Sequence, residues 1–595
     1  IWEQTAVPFT VLPESGNAVP ELAVFDQVMQ QFMVERQIPA GTLAVMKDGK
    51  IVFERGYGWL DREQTVAIPP NALLRLASVV KPITAAAIRK LIAEGRLAAD
   101  EALSLYQEAP TLWLGRMANL VRQRKHPEPV VTYIIDRNIN YTNICTARCT
   151  FCAFRRDAAD HDAYTLDPSQ IHDKIAELQS IGGTQILMQG GMNPALPLKW
   201  YTDLLSGIKS KFPTIHIHAF SPPEFIEFVH FFDPPGDTLE DKIRAVMLPL
   251  RQAGLDSIPG GGGEIFADPV RRKIGLGKCD ADAWLTCMYV AHTLGMFTSA
   301  TMMFGHIEGY ADRIHHMHMV RKWQDRALGT PTLRGGSALG TPTLRGGSAL
   351  GTPTLRGGSP STPRHLDTST PWGHYKAFIS WPFQRENTPL GRVPDWGLDP
   401  TELAHEFPGD TIAKSLWRKP EEPALFPPGT RTADAFDYEA IDKSQHPTAH
   451  LFGKRVRMSS ATDYLRTQAL SRLFLDNIYS IGASWVTMGP HIGQVALAYG
   501  ANDMGSVMME ENVVSSAGTT YCLDQPVLCR LIRDAGFTPA QRNNTYDVIN
   551  LHAGEKTDPD LAVTDWSTHR AKKTHQQAPR PVQPRVTAKP KLATT

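Results

Sequence analysis

From about residue 130 the chain alternates short runs of apolar and β-branched residues with longer stretches whose apolar positions return every third or fourth residue. Apolar runs of about four to eight residues bounded by turn residues read as buried strands, and the longer period reads as helices between them. The candidate strands are VVTYIID (130–136), TQILMQ (184–189), IHIHAF (215–220), LDSIP (255–259), FTSATMMF (297–304), AFISWPF (377–383), SWVTM (484–488) and a short run near GANDMG (500–505). Strands and helices in this alternation predict an α/β fold, a (β/α)8-type TIM barrel. Several strands are followed directly by polar residues or glycines: Asn138 and Asn140, Gly190 and Gly191, Ser221 and Glu224, Gly260 to Glu264, and His306 and Glu308. The C-terminal ends of barrel strands form one mouth, so these residues are expected to meet there, with His218, Glu224, His306 and Glu308 as pocket residues.

Two insertions break the alternation. ALGTPTLRGGS occurs three times without change, at 327–337, 338–348 and 349–359, ahead of a Ser/Thr/Pro-rich stretch. Units this short, rich in Gly and Pro and without an apolar face, predict a flexible loop rather than a solenoid. This insertion, about 327–375, joins a helix to a strand and is expected on the face away from the mouth. The second, about 391–458, is rich in Pro and charge and follows a strand, which puts it on the mouth side, in position to cover the opening. The segment 551–595 is basic, Pro-rich and almost without large apolar groups, the composition of a disordered tail.

The length of 595 residues allows several domains, or one barrel with insertions. Lys+Arg and Asp+Glu are both 61, which gives no electrostatic case for nucleic acid or an acidic membrane surface as the main partner. The basic tail has no interleaved aromatic residues to stack on bases. No apolar run approaches the roughly 20 residues of a membrane-spanning helix, and no basic region followed by an apolar core opens the chain. A soluble, cytoplasmic protein is expected. Its first residue is Ile1 rather than Met, as in a fragment or a trimmed product.

The candidate chemistry lies in CTARCTFC, which sets Cys145, Cys149 and Cys152 in a C-x3-C-x2-C run just after DRNINYTN. Three thiolates on one short loop can hold three irons of a cubane 4Fe-4S cluster and leave the fourth open. An open iron can chelate the amino and carboxylate groups of S-adenosylmethionine (SAM), so that an electron cleaves the sulfonium and releases a 5′-deoxyadenosyl radical. The alternatives are a structural zinc site, which needs a fourth ligand at recognisable spacing, and a disulfide, which three close cysteines cannot share evenly. Cys279, Cys287, Cys522 and Cys529 read as ordinary thiols. His315 and His318 fall on one helical face and, without a third ligand, read as a wet helix surface rather than a metal site. Glu264 closes GGGGE, where four glycines allow a turn close to a ligand. Its carboxylate is a candidate proton acceptor or ribose ligand, and the alternative is a tight turn with a solvated glutamate.

A resemblance adds to this reading. From about Gly95 to Asp547, apart from the insertions, the chain resembles the radical SAM family of dehypoxanthine futalosine cyclases in menaquinone biosynthesis. It is carried by HPEPVVTYIIDRNINYTNICTARCTFCAF, ILMQGGMNP, HAFSPPE, GLDSIPGGGGEI, FISWPFQRENTPL and GANDMGSVMMEENVVSSAGT, in this order. Aminofutalosine synthase and the FO synthase components share parts of these blocks. The resemblance implies a 4Fe-4S cluster on Cys145, Cys149 and Cys152 and SAM as cofactors, with Phe151 shielding the cluster. It implies that Gln189, Gly190 and Gly191 stand where related enzymes approach the SAM amino group. It further implies a small-molecule substrate, dehypoxanthine futalosine. The deoxyadenosyl radical would take hydrogen from ribose C4′, the carbon radical would add to the aromatic ring, and loss of an electron and a proton would restore aromaticity. A flavodoxin or ferredoxin would supply electrons. Two departures stand out: Arg155 follows CAF where the family usually has an aromatic residue, and PPGD after FVHFFD reads as a short insertion.

Residues 20 to about 95 instead resemble the opening of a serine β-lactamase or esterase, with Ser78 and Lys81 as S-x-x-K. No K-T-G follows, and the Y-x-N match, Tyr141 to Asn143, belongs to the cysteine loop. The expected organisation is a truncated β-lactamase-like segment at 1–96, a radical SAM barrel at 97–550 and the tail at 551–595. A serine hydrolase acting through Ser78 and Lys81, and an inactive fusion product, are the competing readings.

Overall fold

A computed structural model describes residues 10–47, 50–60, 64–70, 72, 96–329, 373–393, 456–519 and 521–569. Ser78, Lys81, nearly all of both insertions and the tail after 569 lie outside the described residues. The chain divides into two units, Ile1–Ala85 and Ala86–Thr595.

In the first unit the strands β1 (Glu14–Ser15), β2 (Ala40–Lys47) and β3 (Lys50–Gly58) form an antiparallel sheet in the order β1-β3-β2. The helix Ala23–Glu35 adds Met33 to a small core with Leu12 and Tyr57. Arg55 bridges Glu14 and Asp26, and the Tyr57 hydroxyl donates to Asp26 at 2.7 Å.

The second unit is built on parallel strands: β4 (Val130–Ile134), β5 (Asp136–Ile139), β6 (Gln185–Met188), β7 (His216–Ala219), β8 (Ser257–Ile258), β9 (Phe297–Phe304), β10 (Tyr375–Pro382), β11 (Ser480–Gly482) and β12 (Asp503–Ser506). β4 and β5 are one run of chain broken only at Ile135. β5 pairs with β6, β4 pairs with β12, and the Ile135 carbonyl accepts from Thr184 N–H, so this first strand serves both neighbours and joins the ends of the curled sheet. Among the described residues eight strand positions follow one another around it, each parallel to the next, as the alternation predicts. β13 (Thr538–Arg542) adds in parallel to the other edge of β4, and β14 (Val548–Leu551) pairs antiparallel with β13.

Buried parallel strands are continuous apolar runs, which made most of them readable. SWVTM is the exception. The seventh strand is Ser480–Gly482, and Trp485–Met488 is a helical turn whose buried indole donates to the Met504 carbonyl at 2.9 Å. The strand itself carries one large apolar residue, Ile481, and the β-branched run lies just beyond its end.

The helices Ala99–Glu108 and Thr111–Lys125 belong to this unit: Arg96 pairs with Asp325 and Asp476, and the Tyr106 hydroxyl bonds Thr467. The helix Tyr310–Ala327 is buried nearly all round. Its Arg313 meets Glu308 at 2.8 Å and Asp463 at 2.9 Å, a fully enclosed network. The expectation of a wet surface for His315 and His318 is therefore corrected. His315 and His316 are buried, His316 stacks on Phe266 at 4.0 Å, and His318 is half-buried. Part of the expected tail is also folded: Asp558 and Asp560 hold Arg533 at 3.0 and 2.6 Å.

Candidate functional site

The loop that leaves β5 is pinned by its backbone. Cys145 N–H donates to the Arg156 carbonyl, Thr146 to Met192, Arg148 to Leu276 and Thr150 to Ile274, all between 2.8 and 3.1 Å. It lies directly on the end of β6. A Cβ on Gly190 would come within 2.5 Å of the Tyr141 ring, and one on Gly191 within 2.1 Å of the Ile144 carbonyl and 2.9 Å of the Cys145 Cβ. Two glycines at this strand end are thus a steric requirement of the cysteine loop.

Cys145, Cys149, Cys152, Phe151, Gln189, Gly190, Gly191 and Glu264 all line one cavity of about 230 Å³ at the strand C-terminal ends. The three cysteines are free thiols. Burial pushes the Cys149 thiol up to about 12, with Lys278 pulling the other way, and burial raises Cys145 too. Among the described residues no three His, Cys, Asp or Glu side chains converge as one metal ion requires. Three thiols of one loop lining a single cavity supply three metal-ligating sulfurs, and a cubane cluster with one open iron fits that donor set.

Glu224, one turn into the helix Pro222–Phe232, is fully engaged. Its Oε1 accepts from the Tyr141 hydroxyl at 2.7 Å and Gly190 N–H at 3.2 Å, and its Oε2 accepts from both Ser221 N–H and Oγ–H at 2.7 Å. Burial raises its pKa while these donors oppose the rise. The residue fixes the glycine pair and the helix start together.

Glu264 is 5 % exposed, which rules out the solvated-turn reading, and its backbone is left-handed at φ 40°. Oε1 receives Lys278 Nζ at 2.8 Å, while Oε2 is buried without a partner. Lys278 also lies over the Phe151 ring at 5.1 Å; burial works against its charge, but Glu264 and Cys149 outweigh burial and hold its pKa up. The glycine turn is clamped by Arg271, which donates to Gly262, Gly263 and Cys279 carbonyls at 3.0, 2.8 and 2.9 Å, and by Trp284 Nε1 on the Gly261 carbonyl.

A second cavity of about 320 Å³ fills the barrel interior and shares Gln189, Gly261, Trp381, Thr487, Val513 and Val514 with the first. His218 lines it, as do Asp136, Asn138, Asp503 and Arg542. Asp503 is paired with Arg542 (Nη2 to Oδ1, 3.0 Å), and Asn138 donates to Glu511 at 3.0 Å while its own Oδ1 is buried without a partner. His306 and Glu308 line neither cavity: they bind one another at 2.9 Å and join the Arg313 network. That corrects their expected place in the pocket.

Lys278 and Arg271 carry no signal in the sequence reading, and Trp381 and Ser257 are read there only as parts of strands. Lys278 and Arg271 follow no strand, and Ser257 gains its meaning from the strand beside it.

Residues 139–320 match the Radical SAM superfamily, 447–554 the CofH/MqnC C-terminal region, and 25–126 the Beta-lactamase family. The last match overlaps the two helices between 99 and 125 that are built into the barrel unit. The cyclic dehypoxanthine futalosine synthase of Halalkalibacterium halodurans is 34% identical over 454 residues, 76% of this chain and 92% of that protein. The Streptomyces coelicolor protein of the same name is 32% identical, covering 78% of this chain and 89% of that one. The aminodeoxyfutalosine synthase of Thermus thermophilus is 30% identical, with coverage of 78% and 95%. Such identity along almost the whole of these relatives, with the cysteine loop seated at the barrel mouth, makes this chain a member of the radical SAM family that includes the cyclic dehypoxanthine futalosine synthases.

Proposed function

We propose that the chain is a radical SAM cyclase that converts dehypoxanthine futalosine to its cyclic form in menaquinone biosynthesis. The observation that carries this reading is the adjacency of the two cavities, one bearing the three thiols and the other occupying the barrel interior, which share six lining residues. Similarity to two synthases of that reaction along most of their length supports the same assignment.

Cys145, Cys149 and Cys152 would hold a 4Fe-4S cluster, and Phe151, on the same loop and lining the same cavity, would shield it. When bound together, a cluster of this type and SAM supply a 5′-deoxyadenosyl radical. Gln189, Gly190 and Gly191 form the wall that receives the amino group of SAM. Glu264 has Oε1 committed to Lys278, so Oε2 is the atom that accepts a ligand hydroxyl. The barrel interior receives the substrate, and Trp381 and Val514 stand where the cavities meet, keeping water from the reacting carbon. Holding that carbon against the ring is the main task of the protein, because a well-oriented intramolecular addition needs little else. A flavodoxin or ferredoxin in the cytoplasm supplies the electron.

Anaerobic reconstitution tests the reading. Iron and sulfide near four per chain, 5′-deoxyadenosine and cyclised product by mass spectrometry are expected. The similarity to the Thermus protein favours a second reading, aminodeoxyfutalosine formation. Its product from the corresponding enol-ether substrate, with none from dehypoxanthine futalosine, moves the assignment there.

A further inference from the structure

We infer that His218, Ser257 and His216 form a proton relay out of the barrel interior, with His218 as the catalytic base that takes the ring proton. The inference rests on the cyclase reading, since that reaction must release a proton inside the barrel cavity. His216 and His218 are two apart on β7 and so share a face of the sheet. Ser257 on β8 is the register partner of His218 and is 1 % exposed. Its Oγ stands 2.6 Å from His218 Nδ1 and 2.7 Å from His216 Nε2. His218 lines the barrel cavity, whereas His216 is only half-buried.

A hydroxyl has one proton, so Ser257 donates to one imidazole and accepts from the other. When His218 Nδ1–H donates to Oγ, and Oγ–H to His216 Nε2, His218 keeps a lone pair on Nε2. The barrel cavity's own carboxylates are otherwise engaged, and Glu264, which lines only the cysteine cavity, offers its Oε2 to a ligand hydroxyl. Asp136 accepts from Ser506 and Gln185, Asp503 from Arg542 and Thr132, and Glu511 from Asn138 and two backbone N–H groups. Burial works against storing the proton on either ring. Burial, His216 and Arg542 hold the His218 imidazolium well below its usual range. Burial lowers His216 to about 4, with Asp256 opposing the fall and Lys209 adding to it.

In the step itself, the ring C–H bond of the cyclised radical breaks and its electron pair returns to the ring. The proton goes to His218 Nε2 as Nδ1–H passes to Oγ, Oγ–H to His216 Nε2, and His216 Nδ1–H to water. The aromatic radical anion then gives its extra electron to a one-electron acceptor of the iron–sulfur or flavin class.

The test measures cyclised product per 5′-deoxyadenosine in the reconstituted full chain. His218→Gln is expected to lower that ratio about tenfold or more, the lower end of what a positioned base contributes. Ser257→Ala should lower it less, Ser257→Thr should restore it, and a substrate deuterated at the attacked ring carbon should show a larger isotope effect on the ratio in Ser257→Ala than in the unaltered chain. An unchanged ratio and isotope effect in Ser257→Ala, or an unchanged ratio in His218→Gln, overturns the relay alone. No cyclised product from the unaltered chain overturns the cyclase reading and the relay with it.

Discussion

Lys278 Nζ lies 2.8 Å from Glu264 Oε1 at the wall of the cysteine cavity, with both side chains almost fully enclosed. Burying one charge without the other is costly. Lys278→Met is expected to destabilise the barrel by about 3 kcal/mol, the low end for breaking such a pair, and adding Glu264→Gln should recover part of the loss. Denaturant unfolding of the two variants checks the direction; equal stability of Lys278→Met and the unaltered chain contradicts it.

Gly191 is the tightest approach between the cysteine loop and β6. In Gly191→Ala the new Cβ meets backbone at 2.1 Å, so the loop and not a flexible side chain must move. Overpacking of this kind costs about 1–3 kcal/mol, and the displaced Cys145 should lower bound iron severalfold. Iron and sulfide analysis after reconstitution reads the effect.

Replacing Cys145, Cys149 and Cys152 together by Ala should abolish iron binding, whereas Cys279→Ala should leave it near the unaltered level. Iron retained by the triple variant removes the cluster from this loop.

His315 is buried with Nδ1 unpartnered, and burial lowers its pKa to about 4. The unfolded chain binds this proton below about 6.5 and the folded chain does not, so stability is complete above that pH and is lost as pH falls toward 4. At pH 5 the loss is about 2 kcal/mol for this residue. His315→Met should therefore shrink the stability difference between pH 7.5 and pH 5 by that amount, as measured by denaturant titration at both values.

The barrel was legible because its strands are buried on both faces and write themselves as apolar runs, such as FTSATMMF for β9. Site residues that follow a strand, among them Gly190, Gly191 and Glu264, were legible from topology alone, because strand ends share one mouth. Lys278 was not. It meets Glu264 through a clamped turn 14 residues later, and no periodicity in the chain marks that meeting. The helix Tyr310–Ala327 misled for a related reason: Arg313, Gln324 and Asp325 are polar in the sequence and buried in the fold, where partners satisfy them. His306 and Glu308 follow a strand as expected but turn into that same network instead of the pocket.

The first strand also sets an order of assembly. Thr132 on β4 donates to Asp503 at 2.6 Å across 371 residues of sequence. During synthesis, then, an early strand waits with one side unsatisfied until the segment around Asp503 has left the ribosome. Loop closure over such a span is slow. The long inserted stretches lengthen the interval in which that open edge invites a chaperone or a second nascent chain.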